Sequence, residues 1–110
     1  MKTTTLALTL LLAVNAAHAE SDPDAIKAKA IANQHACFAC HSIDKKLVGP
    51  AWRDVAVRYA GQPDIGKQLV AHIRGGSSGA WGAVPMPPNQ ISVDDATVVA
   101  KWILAGAKDK

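Results

Sequence analysis

Residues 37–41 read CFACH, and this stretch decides how the rest of the chain is interpreted. On a helical turn, positions i, i+3 and i+4 share one face, so the thiols of Cys37 and Cys40 and the imidazole of His41 point the same way. C-x-x-C-H is the attachment pattern for c-type haem. Two thioether bonds to the porphyrin would leave His41 facing the iron from the same side. The motif therefore predicts one covalently bound haem c.

Three other roles for the two cysteines compete with this interpretation. A disulfide between Cys37 and Cys40 is chemically possible in an exported protein. A thioredoxin-like redox pair needs a β–α–β context, whereas no stretch alternates with period two for long enough to indicate a strand. A zinc site needs further ligands, and no second cysteine or histidine pair follows. Covalent haem is the favoured interpretation, and the disulfide stays open as an alternative.

The first nineteen residues have the features of a secretory signal peptide. A basic start, Met1-Lys2, precedes the apolar run LALTLLLAV at 6–14, and the AHA sequence at 17–19 fits an A-x-A cleavage site. The apolar run is too short for a membrane-spanning helix. We therefore expect residues 1–19 to be cleaved and residues 20–110 to form one exported domain with no membrane insertion.

Charge and size limit the classes of partner and the kind of core. The chain of 110 residues carries 12 Lys+Arg and 9 Asp+Glu, a net charge of +3. These charges are scattered, so nothing indicates binding to nucleic acid or to an anionic membrane surface.

A small single domain has a thin core and usually needs a disulfide, a metal or a cofactor for stability. A covalent haem would supply that cross-link.

The hydrophobic pattern predicts an all-α fold in which a long loop precedes the last helix. The loop, GGSSGAWGAVPMPPNQ at 75–90, is dense in glycine, serine and proline, and such a loop in a small domain is usually functional or disordered. Caps, helix breakers and apolar spacing predict four helices: one from the Asp22 cap to about His35, one from near Pro50 to Gly61, one from about Pro63 to Arg74, and one after the Ser92 cap.

That loop holds Met86 between Pro85 and the pair Pro87-Pro88. Proline fixes φ and has no N–H, so the segment is neither helix interior nor central strand. Methionine is a common second axial ligand in electron-transfer cytochromes c, and a stiffened loop preorganises a weak thioether donor. We therefore predict that His41 and Met86 bind the iron. Two alternatives remain: Met86 fills an apolar gap, or His72 is the second iron ligand.

Three segments resemble the small bacterial cytochromes c of the c551/c8 type, which are class I cytochromes. They are CFACHSIDKKLVGPAWRDVA (37–56), GGSSGAWGAVPMPPN (75–89) and VVAKWIL (98–104). The resemblance covers essentially the whole chain after residue 19. It implies the class I cytochrome c fold, with four to five short helices around one covalently bound haem c. It also implies a periplasmic one-electron carrier, not an enzyme, that passes electrons to a terminal reductase (nitrite reductase) or oxidase.

The resemblance also implies contacts with the two axial ligands. The backbone carbonyl of Pro50 would accept a hydrogen bond from the ring N–H of His41, which orients the ring and makes it a better donor. Asn89 would hydrogen-bond near the Met86 sulfur and help to fix its orientation.

Contacts with the haem propionates follow from the same resemblance. The Trp81 indole N–H would bond one propionate, and plain packing is the alternative for this residue. His72 matches a position that contacts the inner propionate, although from spacing alone a half-exposed surface histidine fits as well. Two positions depart from the family pattern: Ala36 stands where glycine is expected, and His35 stands where a lysine can reach the propionates.

Electrons are expected to leave by an exposed haem edge near the thioethers. We predict a small apolar patch around that edge, with lysines nearby, formed by Leu47, Val48, Val84 and Pro87 and by Lys45 and Lys46. Such a patch suits brief, weak encounters between a monomeric carrier and its redox protein partners. Two rival functions remain open: a sensor or peroxidase-like haem protein with a labile Met86, and a permanently docked subunit of a larger enzyme.

Overall fold

The computed structural model describes residues 21–109, and over this range the chain is all-helical, as predicted. The four helices are α1 (Pro23–Gln34), α2 (Trp52–Tyr59), α3 (Ile65–Gly75) and α4 (Val93–Leu104), and a 3-10 turn covers Cys37–Ala39. Within these residues the only β-type pairing is a single antiparallel bridge between Ser77 and Met86. None of the described helices is both long and apolar enough to span a bilayer. The predicted signal peptide, residues 1–19, lies outside the described residues.

The outer two helices begin where their caps predict. The Asp22 carboxylate accepts a hydrogen bond from the Asp24 N–H at 2.9 Å, and Pro23 is the first residue of α1. The Ser92 hydroxyl accepts one from the Asp95 N–H at 3.0 Å and opens α4. Each cap satisfies an N–H that the first helical turn leaves without a partner.

The inner two helices begin slightly later than the sequence predicts, and local backbone geometry explains both shifts. Ala51 is extended, with φ −61° and ψ 139°, so α2 starts at Trp52 and not near Pro50. Asp64 is left-handed, with φ 60°, so α3 starts at Ile65 and not at about Pro63. A residue in either conformation cannot continue a right-handed helix.

Helix α4 lies at the centre of the core and packs against α1, α2 and α3. Its contact with α1 is made through small side chains, since Ala25, Ala28 and Ala32 are all at most 1% exposed. On the α2 side, the rings of Trp52 and Trp102 meet edge to face with centroids 5.1 Å apart. Small residues let two helices approach closely, and the two indoles fill the wider space beside them.

The C-terminal tail folds back onto the same helix pair. The Trp102 indole N–H donates to the carbonyl of Lys108 at 2.9 Å. The Lys29 ammonium lies 2.7 Å from a carboxylate oxygen of Asp109 and also donates to its carbonyl at 3.0 Å. These bonds join the end of the described chain to α1.

The residue before the first cysteine has an unusual backbone conformation. Ala36 lies in the left-handed region, with φ 55° and ψ 26°, between the end of α1 and the 3-10 turn. This conformation gives a physical reason for glycine at this position, because a β-carbon there crowds the following carbonyl.

We expect Ala36→Gly to raise the free energy of unfolding. Relief of left-handed strain is worth about 1–2 kcal/mol, and the added freedom of the unfolded chain offsets about 0.4–1 kcal/mol of it, so the net gain lies between about 0 and 1.6 kcal/mol. Ala30→Gly, at an exposed position inside α1, is the matched control and should lower stability by about 1 kcal/mol. Guanidinium unfolding of both variants measures the two changes, and a loss of stability in Ala36→Gly would contradict the strain argument.

Candidate functional site

A cavity of about 600 Å³ lies between the CFACH turn, α2, α3 and the loop before α4. Its size falls within the range of about 300–1,000 Å³ that is usual for cofactor sites. Most of its lining is apolar, including Trp52, Val55, Leu69 and Ile73. Six of the predicted site residues line it: Cys40, His41, Pro50, His72, Trp81 and Met86. Cys37 packs against the core beside it, and Asn89 lies behind the loop.

One turn of backbone brings the three residues of the motif together. The N–H groups of Cys40 and His41 both donate to the carbonyl of Cys37, at 3.1 and 2.9 Å. Both cysteines are free thiols in the structure. Burial raises the pKa of the Cys37 thiol. One hydrogen-bonded turn therefore carries two free thiols and one imidazole, the set of groups that attachment of a c-type haem requires.

The imidazole of His41 is held in one tautomer. Its Nδ1 lies 2.8 Å from the carbonyl oxygen of Pro50. Because a carbonyl only accepts, Nδ1 carries the hydrogen and donates it, and the lone pair of the neutral ring is on Nε2. That lone pair is the one available for a metal. The function of this contact in the haem complex stays a prediction.

Two residues that the sequence did not mark as site residues fix the same ring. Trp52 stacks on the imidazole, with centroids 5.4 Å apart and planes at 18°. The backbone of Gly49 presses against it, because a β-carbon built at this position would lie only 2.5 Å from His41 Cε1. The only available sequence signal was the glycine in the VGPA segment, since Trp52 was predicted as a helix-face residue alone.

Met86 is anchored through its own backbone. Its N–H donates to the carbonyl of Ser77 at 2.8 Å, and its carbonyl accepts from the Ser77 N–H at 3.0 Å. Gly76 makes this pairing possible, since it has φ +82° and a β-carbon there would lie 2.7 Å from the Met86 carbonyl oxygen. We call residues 76–89 the methionine strap.

Asn89 ties the end of the methionine strap to α3. Its amide nitrogen donates to the carbonyl of Ile73 at 3.0 Å and approaches that of Pro87 at 3.4 Å. These bonds fix the backbone that follows Met86. The predicted contact between Asn89 and the Met86 sulfur stays a prediction.

His72 and Trp81, the two predicted propionate contacts, are half-buried and line the cavity. Trp81 meets the Tyr59 ring edge to face at 6.1 Å. Within residues 21–109 its indole N–H has no protein acceptor, so this donor remains free for a ligand group. His35 caps α1 and is not among the lining residues. The contacts of His72 and Trp81 with propionates stay predictions.

The predicted apolar patch lies at the mouth of the cavity. Leu47, Val48 and Val84 are 50%, 57% and 65% exposed and also line it. Pro87 and Lys46 are also exposed and line the cavity, whereas Lys45 is exposed but does not line it.

The zinc alternative needs a group of ligands close together. Among the described residues there is no group of three or more His, Cys, Asp or Glu side chains that could hold a metal ion.

Comparisons with known proteins agree with this chemistry. The family model described as Cytochrome c matches residues 25–107. A cytochrome c-551 of Pseudomonas aeruginosa is 52% identical over 69 residues, which cover 63% of this chain and 66% of that protein. A cytochrome c-552 of Nitrosomonas europaea is 43% identical over 101 residues, covering 91% of this chain and 90% of that one.

The backbone agrees as well. The crystal structure of wild-type Nitrosomonas europaea cytochrome c552 superposes with a TM-score of 0.68 at 46% identity, covering 70% of this chain and 96% of that one. This likeness confirms the predicted class I cytochrome c fold. Two thiols on one turn, a histidine with a free Nε2 lone pair and an apolar cavity of suitable size fit a haem. The chain is therefore a member of the cytochrome c family, a small electron-carrier haem protein with one haem c attached through Cys37 and Cys40.

Proposed function

We propose that this protein is a periplasmic one-electron carrier whose haem iron is bound by His41 and Met86. The observation that carries the proposal is the pairing of two anchored donors on one cavity. His41 offers Nε2 because its Nδ1–H donates to Pro50, and Met86 is held by two backbone hydrogen bonds to Ser77. With both ligands bound, the iron has no vacancy for a substrate. This favours outer-sphere electron transfer and a carrier that is not an enzyme.

The residues around the cavity suit that role. The haem supplies a one-electron couple between ferric and ferrous iron. Trp52, Val55 and Leu69, each buried and each lining the cavity, exclude water and favour the less charged ferrous state. A thioether ligand from Met86 raises the reduction potential further. The rigid hold on both ligands keeps the geometry alike in the two oxidation states.

The location and partners of the carrier are part of the proposal. The signal-peptide features of residues 1–19 support export to the periplasm. The patch of Leu47, Val48, Val84 and Pro87 at the cavity mouth supports brief contacts with redox protein partners, made by a monomer. By family resemblance these partners are an electron-donating complex and a terminal reductase, such as nitrite reductase, or an oxidase.

We expect Met86→Ala to abolish the weak far-red absorption band of the ferric protein, which marks iron–methionine sulfur ligation. The variant removes the only strap side chain with a soft donor atom. Val84→Ala, an exposed position on the same strap, is the control and should keep the band. A parent protein with covalent haem but without that band would contradict the proposal and favour the sensor or peroxidase-like alternative.

A second test concerns the backbone that holds Met86. Gly76→Ala introduces both left-handed strain and a contact of 2.7 Å with the Met86 carbonyl, whereas Gly79→Ala at φ +77° meets no atom within 4 Å. Strain should cost Gly79→Ala about 1–2 kcal/mol of stability. It should cost Gly76→Ala about 1–3 kcal/mol, because with ψ 172° Gly76 lies in a region of backbone conformation that only glycine adopts readily. Only Gly76→Ala should also weaken the far-red band, because the strap must shift. Far-red bands of equal intensity in the two variants would show that the close approach of Gly76 to the Met86 carbonyl does not position the methionine.

A third test concerns His72. We expect His72→Ala to lower the haem potential, because loss of an imidazole that hydrogen-bonds a propionate leaves that carboxylate more negative and stabilises the ferric state. His35→Ala, outside the cavity lining, should retain the parent potential. Lys46 and Asp54 are the charged side chains that line the cavity in the parent and in both variants. Voltammetry of the three proteins decides, and equal potentials in parent and His72→Ala would contradict the assignment.

A further inference from the structure

The part of the methionine strap between its two bridge residues is held by very little backbone bonding. Within residues 21–109, the segment 78–85 makes one hydrogen bond. In that bond Arg58 Nη1 donates to the carbonyl of Ala80 at 2.6 Å. Gly79 and Gly82 flank the segment's tryptophan with positive φ values of 77° and 120°, so the backbone there has wide conformational freedom. Contacts from outside the segment must therefore fix it.

Arg58 supplies a second contact to the same place. Its guanidinium carbon lies 4.3 Å from the centroid of the Trp81 ring, inside the range of about 6 Å for cation–π attraction. The same carbon lies 5.6 Å from the ring of Tyr59, which itself meets Trp81 edge to face with planes at 85°. A guanidinium suits this double contact, because its planar face stacks on the indole while its N–H groups at the edge hydrogen-bond the adjoining carbonyl. Two neighbouring side chains at the end of α2, Arg58 and Tyr59, therefore both contact the Trp81 indole.

Trp81 faces the cofactor cavity and is one of its lining residues. Ala80, whose carbonyl accepts the hydrogen bond from Arg58, also lines the cavity. The Trp81 indole N–H has no acceptor within the described protein, so its direction is not set by a bond of its own. The contacts of the Trp81 ring with Arg58 and Tyr59 therefore set the direction of this N–H.

We propose that Arg58 is the positioning residue for Trp81, and that it holds the indole N–H toward the haem carboxylates from outside the cavity. The effect on the haem rests on the proposed electron-carrier function and on the predicted contact between Trp81 and a propionate, whereas the hold on Trp81 stands on the contacts with Arg58 and Tyr59 alone. Arg58 itself is exposed and is not among the cavity-lining residues. It acts through Trp81.

Three variants separate the effect of the Trp81 position from the effect of losing a positive charge. Arg58→Met removes the stack, the hydrogen bond and the charge, whereas Arg58→Lys keeps the charge but loses the planar donor. Arg53→Met is the matched control, because Arg53 is exposed on the same helix and its side chain has no hydrogen bond or ion pair within residues 21–109. It loses the same charge without touching Trp81.

The first readout is the NMR order parameter of each indole N–H in the haem-loaded ferrous protein, with the Trp81 signal identified by Trp81→Phe. In the parent we expect about 0.85 for Trp81, the value of a rigid group. Arg58→Met and Arg58→Lys should lower it below about 0.6, while Arg53→Met leaves it unchanged. Trp52 and Trp102 serve as internal controls, since Trp102 is fixed by its bond to the Lys108 carbonyl. A Trp81 value that stays high in either Arg58 variant, or a loss at all three indoles, would overturn the proposal.

The second readout is the reduction potential. When the indole N–H leaves a carboxylate, that carboxylate becomes more negative in effect and stabilises the ferric state, so both Arg58 variants should have a lower potential than the parent. A mobile Trp81 with an unchanged potential in Arg58→Lys would overturn the link to the haem. The far-red band of the same proteins in the ferric state reports iron–methionine ligation. Its absence in the parent would refute the proposed ligands, while the order parameters would still test Arg58.

Discussion

The hydrogen bond from His41 Nδ1 to the Pro50 carbonyl is the constraint on which the site depends. It spans 2.8 Å and selects the tautomer whose lone pair is on Nε2. It also uses the carbonyl of Pro50, near which the sequence predicted the start of α2. The chain is still extended at Ala51, and α2 begins at Trp52. This bond thus orients the imidazole, and together with the backbone bonds from Gly49 to Cys40 and from Trp52 to Ser42 it closes the loop between the attachment turn and α2.

The two sides of the cavity are built by different means. On the histidine side, the ring itself is fixed by direct contacts with Gly49 and Pro50. On the methionine side, the contacts hold the backbone, since Ser77 pairs with Met86 and Asn89 bonds to the end of α3. A thioether is a weak ligand, so its hold depends on how well the backbone is preorganised. In the methionine strap, this preorganisation comes from the prolines around Met86, the bridge between Ser77 and Met86, and the side-chain amide of Asn89.

Much of the fold was predictable because its signals are local. Asp22-Pro23 and Ser92 mark helix starts by satisfying nearby N–H groups, and C-x-x-C-H indicates its chemistry through spacing alone. The features that sequence reasoning missed depend on contacts or conformations that a chain does not encode locally. The left-handed Asp64 delays α3, the closeness of Gly49 to His41 exists only once the ring is docked, and Arg58 reaches a carbonyl 22 positions away.

The alanine contact between α1 and α4 divides the core into two parts. Ala25, Ala28 and Ala32 meet α4 directly and lie away from the cavity, whereas the buried side chains of α2 and α3 face it. Helix α4 takes part in both, because its Ile103 lines the cavity. A haem in the cavity would therefore pack against the apolar side chains of α2 and α3 and against Ile103, whereas the alanines of α1 are not among the lining residues. Loss of the cofactor would expose apolar surface in one part of the core and leave the other part packed.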